Sequence, residues 1–295
     1  MTAPGTAWIA CRFLHDATLI FLWGSFGYLA VGVPKHLSGE IAERLRGISL
    51  AAIATVILTT VASLPVQTAL IADGWVDAFN GKTVWSVLTL TGAGGAWIVQ
   101  AIGSCALLVI VAFFHTRRGA LLAFVSGLML AGLALSGHAA MHGGLLGYLH
   151  PINDALHVLS AGAWLGALLP FLLIIGRLDI AGDHTEVVVA LRRFSWLGHG
   201  AVALVLLSGI ANTLLVLGKL PLDWRLPYQA KLLLKITAVM VMTMLAVINR
   251  YVFVPRLQAH RYSTVRALKF AAMCEICLGV FAIALVSVFG TEDPV

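Results

Sequence analysis

The chain has 295 residues, 60% of them hydrophobic and 11% charged, with a mean hydropathy of +0.96 and a net charge of +6. A soluble domain carries about 25% charged residues, so this chain cannot cover itself with polar surface and must be solvated by lipid. Its basic residues are scattered among short loops, which speaks for membrane topology and against a nucleic-acid partner.

A bilayer core takes roughly 20 apolar residues per helix and forbids open sheets. The expected fold is therefore all-α: a polytopic membrane bundle of about eight transmembrane helices, forming one domain over 1–295. The opening MTAPGTAWIACRFLHDATLIF lacks a basic n-region and a small-residue cleavage site. It reads as a retained first span, 7–33, rather than a secretory signal. Further spans are expected near 47–71, 85–114, 119–137, 152–176, 195–218, 229–249 and 266–290. Turn residues punctuate the breaks: Pro34, Asp73-Gly74, Asn80-Gly81, Pro151, Gly182-Asp183, Pro221 and Pro255.

Thirteen of the nineteen Lys and Arg residues fall on one side of this arrangement, from Lys35 and Arg44 to Arg266 and Lys269. The positive-inside rule makes that side cytoplasmic. Both termini then face outward, into the periplasm of a bacterium, and the protein is expected in the inner membrane. Trp8, Trp75, Trp85, Trp224, Tyr148 and Tyr228 fall near the outer span ends and read as interfacial anchors.

The densest polar feature is GHAAMHGGLLGYLHPINDALH, between the fourth and fifth spans, with His138, His142, His150 and His157. His138 and His142 stand at i and i+4, one face of any helical continuation, with Met141 between them. His157 begins the fifth span, one turn after Asp154. His15, beside Asp16, lies about 12 Å below the outer end of the first span, and His157 about 7 Å below the end of its own. His138, His142, His157, His15 and Met141 could therefore share one outer metal site if these spans are neighbours. Imidazole and thioether suit copper in either oxidation state, and Asp16 and Asp154 could orient the ligand rings. His150 has no histidine at i+4 and reads as the weakest member. His199 is too deep to join.

In the eighth span, Cys274 and Cys277 flank Glu275 at helical spacing. Paired thiolates could pass Cu(I) inward, although two small apolar residues would look the same. A carboxylate at that depth needs a partner, a proton or an ion. Lys235 in the seventh span either pairs with Glu275 or extends its amine outward. Met240, Met244 and Met273 read as packing residues, and Asn212, after Ser208-Gly209, could bond across helices.

These pieces resemble the CopD (PcoD-like) copper-resistance membrane proteins over nearly the whole chain. The resemblance rests on SGHAA at the end of the fourth span and on HVLSAGAWLGALLP from His157. RFSWLG, SGIANT, Tyr228 with KLLLK, Asn249-Arg250, Glu275 and the terminal FGTEDP add to it. Membership implies a multi-pass inner-membrane protein that handles periplasmic copper, commonly by import, and that partners a small periplasmic copper protein of the CopC type. It implies that His138 and His157 are the family's histidines and Glu275 its intramembrane acid. Gln100 departs from the pattern, where Arg is usual.

The leading expectation is thus a copper permease rather than an enzyme, moving copper from periplasm toward cytoplasm. No P-loop motif is present, so ATP hydrolysis is not expected. Two alternatives stay open: a haem-b electron carrier with histidines on neighbouring helices, and a copper-delivery assembly factor without net transport.

Overall fold

The computed structural model describes residues 3–114, 118–135, 143–179, 184–256 and 261–292. Among them there is no strand, and eight helices are long and apolar enough to cross a membrane. The chain opens with α1 (Ala3–Val31), a short α2 (Lys35–Arg44) and α3 (Arg46–Ile71). Then come α4 (Gly81–Leu90), α5 (Gly92–Phe113) and α6 (Arg118–Gly132), the last ending in a 3-10 turn at Leu133–Leu135. α7 (Leu146–Ile175), α8 (Thr185–Leu217) and α9 (Pro227–Ile248) follow. A π turn (Asn249–Phe253) continues α9 into α10 (Val254–Arg256), and α11 (Arg261–Phe289) is the last helix.

α1 is the hub of the bundle, packing against α3, α6, α7 and α11. Its crossing with α7 is made possible by glycines, which let backbones approach where lipid offers no hydrophobic drive. A Cβ on Gly166 would lie 2.2 Å from the Ile20 carbonyl oxygen, and one on Gly24 would lie 2.1 Å from that of Gly162. Ser25 Oγ donates to the Gly166 carbonyl at 2.7 Å, and the Trp23 indole to that of Leu159 at 2.8 Å. The apolar core follows this axis, with Leu19, Leu22, Leu130, Leu168, Ile174 and Ile175 fully buried.

The outermost helices are α8, which packs along α7, and α9, which packs along α11. Val216 and Leu217 of α8 pack against the Tyr228, Leu232 and Phe289 cluster, and His199 of α8 lies edge-on to Tyr251 just past the end of α9. At the end carrying both termini, Lys231 binds Glu292 at 2.5 Å and the Arg12 guanidinium packs on Gly290. At the opposite, basic end, α2 folds under the bundle. Its Glu40 pairs with Arg177 at 2.5 Å and with Arg44 at 3.1 Å.

Three features differ from the sequence-based expectation. The third span is two helices, broken at Thr91. That hydroxyl donates to the Val87 carbonyl at 2.6 Å and accepts from Gly94 N at 3.1 Å, so it ends α4 and caps α5. Pro151 does not break the chain: α7 starts at Leu146 and runs through it. Pro151 is the sixth residue of α7, past the unpaired amides of the first turn, so it forgoes one bond, to the Gly147 carbonyl, and the rest of the helix carries that loss. Tyr228 is no interfacial anchor; it is buried, edge-on to Phe289 with centroids 5.2 Å apart.

Candidate functional site

A cavity of about 1000 Å³ occupies the half of the bundle nearer the termini. Its walls come from α1, α3, α5, α7, α8, α9 and α11. Two cations, Arg12 and Lys235, and three carboxylates, Asp16, Asp154 and Glu292, line it with His15, His150 and His157. Polar groups at this depth are costly unless they face protein or a polar interior, so their convergence makes the cavity the candidate site.

α7 contributes three of these groups. With the helix running through Pro151, His150, Asp154 and His157 fall at i, i+4 and i+7 and face the cavity together. His150 is 1% exposed. Taken from the sequence as a loop residue, it is instead a wall of the site. The signal that could have found it is its spacing to Asp154 and His157, hidden by reading Pro151 as a helix breaker.

α8 holds these side chains in place through its SGIANT stretch. Ser208 Oγ donates to the Leu204 carbonyl at 2.5 Å, so it can accept from His157 Nδ1–H at 3.0 Å. That bond selects the Nδ1–H tautomer and leaves Nε2 as the basic nitrogen, the usual preparation of a metal-binding imidazole. The His157 ring comes so close to α8 that a Cβ on Gly209 would sit 3.1 Å from its Cε1. Asn212 bridges two α7 residues: its Oδ1 accepts from Asn153 Nδ2 at 2.6 Å, and its Nδ2 donates to Asp154 Oδ1 at 2.8 Å. The cross-helix role expected for Asn212 is therefore real, and Asp154 is steered by Asn212.

His15 is held differently. Its Nδ1 lies 2.8 Å from Thr59 Oγ1 and its Nε2 lies 3.2 Å from Gln100 Oε1. Gln100 Nε2 donates to the Met129 carbonyl at 2.9 Å, which fixes the amide so that Oε1 must accept from His15. Both ring nitrogens are thus engaged by protein, and a metal bond to His15 would displace one partner. Gln100 thus ties α1, α5 and α6 together.

His138, His142 and Met141 lie outside the described residues. The chain enters that stretch from Leu135, which lines the cavity, and leaves it at Gly143. Among the described residues no three His, Cys, Asp or Glu side chains cluster closely enough to hold a metal ion. Lys235 does not pair with Glu275. It lines the cavity, with Nζ 6.0 Å from the Phe289 ring centroid. Glu275 instead accepts from Asn249 Nδ2 at 2.9 Å and from the Trp164 indole, which itself borders the cavity. Cys277 is exposed on the bundle surface and Cys274 is half-buried, and neither lines the cavity. Met240, Met244 and Met273 are exposed toward the lipid side, whereas Met242 is a cavity wall that the sequence did not single out.

These features define a class: a multi-pass α-helical membrane protein with a histidine- and carboxylate-lined cavity among its helices. The chain belongs to the copper resistance protein D family. Residues 1–148 match the model for the copper resistance protein D-like N-terminal domain, and residues 188–289 match that for copper resistance protein D. It is 31% identical to inner membrane protein YebZ of Escherichia coli, over 97% of this chain and 98% of that protein. It is 29% identical to copper resistance protein D of Pseudomonas syringae pv. tomato, over 97% and 96%. A 30% identity to the copper transport protein CutJ of Bacillus subtilis covers 97% of this chain and 52% of that longer protein. No solved structure matches.

Proposed function

We propose that this protein is a copper permease of the bacterial inner membrane, taking copper from the periplasm toward the cytoplasm. The observation that carries the reading is His157. Its Nδ1 is committed to Ser208, and the ring stands in a cavity with Asp154 one turn away. Imidazole nitrogen so prepared suits copper in either oxidation state. His157 alone is not a site. His138 and His142, with Met141 as a soft auxiliary, are the donors that would complete capture. Asp154, oriented by Asn212, and Asp16 would offset the charge of the incoming ion rather than bind it. His15, with both nitrogens engaged, would stiffen the wall between α1, α3 and α5.

A small periplasmic copper protein of the CopC type would load the site from the end that carries the termini. The names of the relatives support copper as the cargo and the inner membrane as the location. Replacing His138 and His157 together with Gln tests the reading. Loss of stoichiometric copper binding and of cellular copper accumulation is expected, and unchanged values of both overturn it. A visible spectrum of the same sample separates the haem-b alternative: a Soret band that shifts on reduction would replace copper as the ligand of His157. A delivery factor without net transport would bind copper yet give no flux in liposomes.

A further inference from the structure

The floor of the cavity leads to a second polar site that the copper reading does not use. Trp164 borders the cavity and donates to Glu275, which is 2% exposed and stands at the middle of α11. Among the described residues, no Lys or Arg lies within ion-pair distance of Glu275. Its other partner, Asn249, opens the π turn at the end of α9. Asn249 Oδ1 is itself buried with no hydrogen-bond partner. An acceptor left unmade in a buried place carries a full desolvation cost, and it sits beside a carboxylate that is costly for the same reason.

We propose that Glu275 and Asn249 form a binding site for a hard monovalent alkali cation. One such ion answers both deficits at once, balancing the carboxylate and giving Asn249 Oδ1 an electropositive partner. A proton on Glu275, with the Asn249 amide turned over, would pair Oδ1 with the carboxyl O–H but leave Asn249 Nδ2 unpaired in its place. The donors are oxygen only, which suits hard ions and not Cu(I), whose preferred donors are sulfur and nitrogen. One carboxylate is too little negative charge for a dedicated Ca²⁺ or Mg²⁺ cage. The π turn shifts the carbonyl register beside Asn249 from four residues to five. Irregular helical backbone at membrane depth is where transport proteins place coupling-ion sites. Such an ion, two helical turns below His157 on the far side of Trp164, would link cavity occupancy to an ion gradient.

The test uses the purified full-length protein, without copper, so its outcome is independent of the copper reading. Thermal unfolding is followed in sodium or potassium chloride against choline chloride at equal ionic strength, together with binding of radioactive sodium. Wild type should gain roughly 2–4 °C in an alkali salt and bind one sodium per chain. Glu275→Gln and Asn249→Val should lose both effects. Asn249→Asp, which keeps the oxygen donors, should retain them and shows that the site tolerates substitution. No alkali-specific gain in wild type, a gain retained in Glu275→Gln, or a response to pH alone would overturn the proposal.

Discussion

At the scale of single residues, the site depends on hydroxyl and amide groups that fix which nitrogen of each histidine is free. Ser208→Ala removes the acceptor that selects the His157 tautomer, and such supporting bonds are worth about 10- to 100-fold in metal affinity. A competition titration with a copper chelator should show that loss with the helix content unchanged; an unaltered affinity would take His157 out of the site. Gln100→Leu leaves His15 Nε2 and the Met129 carbonyl without their partner. The expected cost is about 1–3 kcal/mol, read as a lower unfolding midpoint in detergent, with copper binding kept. Only part of this was legible in the sequence. His157, Asp154 and His15 stood out because ionisable residues in apolar spans are conspicuous. The Thr59 and Gln100 partners of His15 are 44 and 85 residues away, and pairings of that range leave no local pattern.

Among the elements, close helix crossings set the geometry of the cavity walls. Gly166→Ala would put a methyl 2.2 Å from the Ile20 carbonyl and force α1 off α7. Overpacking of this kind costs about 1–3 kcal/mol or more, and a marked fall in monodisperse yield is expected. Gly39→Ala, with nothing within 4 Å of its Cβ, is the control and should change stability by less than about 0.5 kcal/mol. Gly209→Ala is gentler. Its methyl would meet His157 Cε1 at 3.1 Å, so the ring must shift, and weaker copper binding without unfolding is expected. The existence and order of the spans were readable from hydropathy, but not every end: α8 starts at Thr185 rather than at 195, and α7 at Leu146 rather than at 152. Two errors arose where a single residue decides: Thr91 splits a span by capping both ways, and Pro151, read as a break, lies inside α7. Placing His150 in a loop was a consequence of the second error.

For the whole molecule, two features bear on function. α8 packs along α7 and α9 along α11, and both pairs line the cavity. Basic residues gather at the end away from the termini, which the positive-inside rule assigns to the cytoplasm. In a background free of native cysteines, Asp73→Cys should therefore react with an impermeant maleimide from the periplasmic side and Arg44→Cys should not; the reverse pattern would invert the molecule and its transport direction. The central claim, that this cavity admits copper through His157, is tested most directly by copper uptake into liposomes containing the purified protein. Wild type should load copper above protein-free vesicles, and His138→Gln combined with His157→Gln should fall to the protein-free level. Equal uptake by wild type and the double variant would contradict the account.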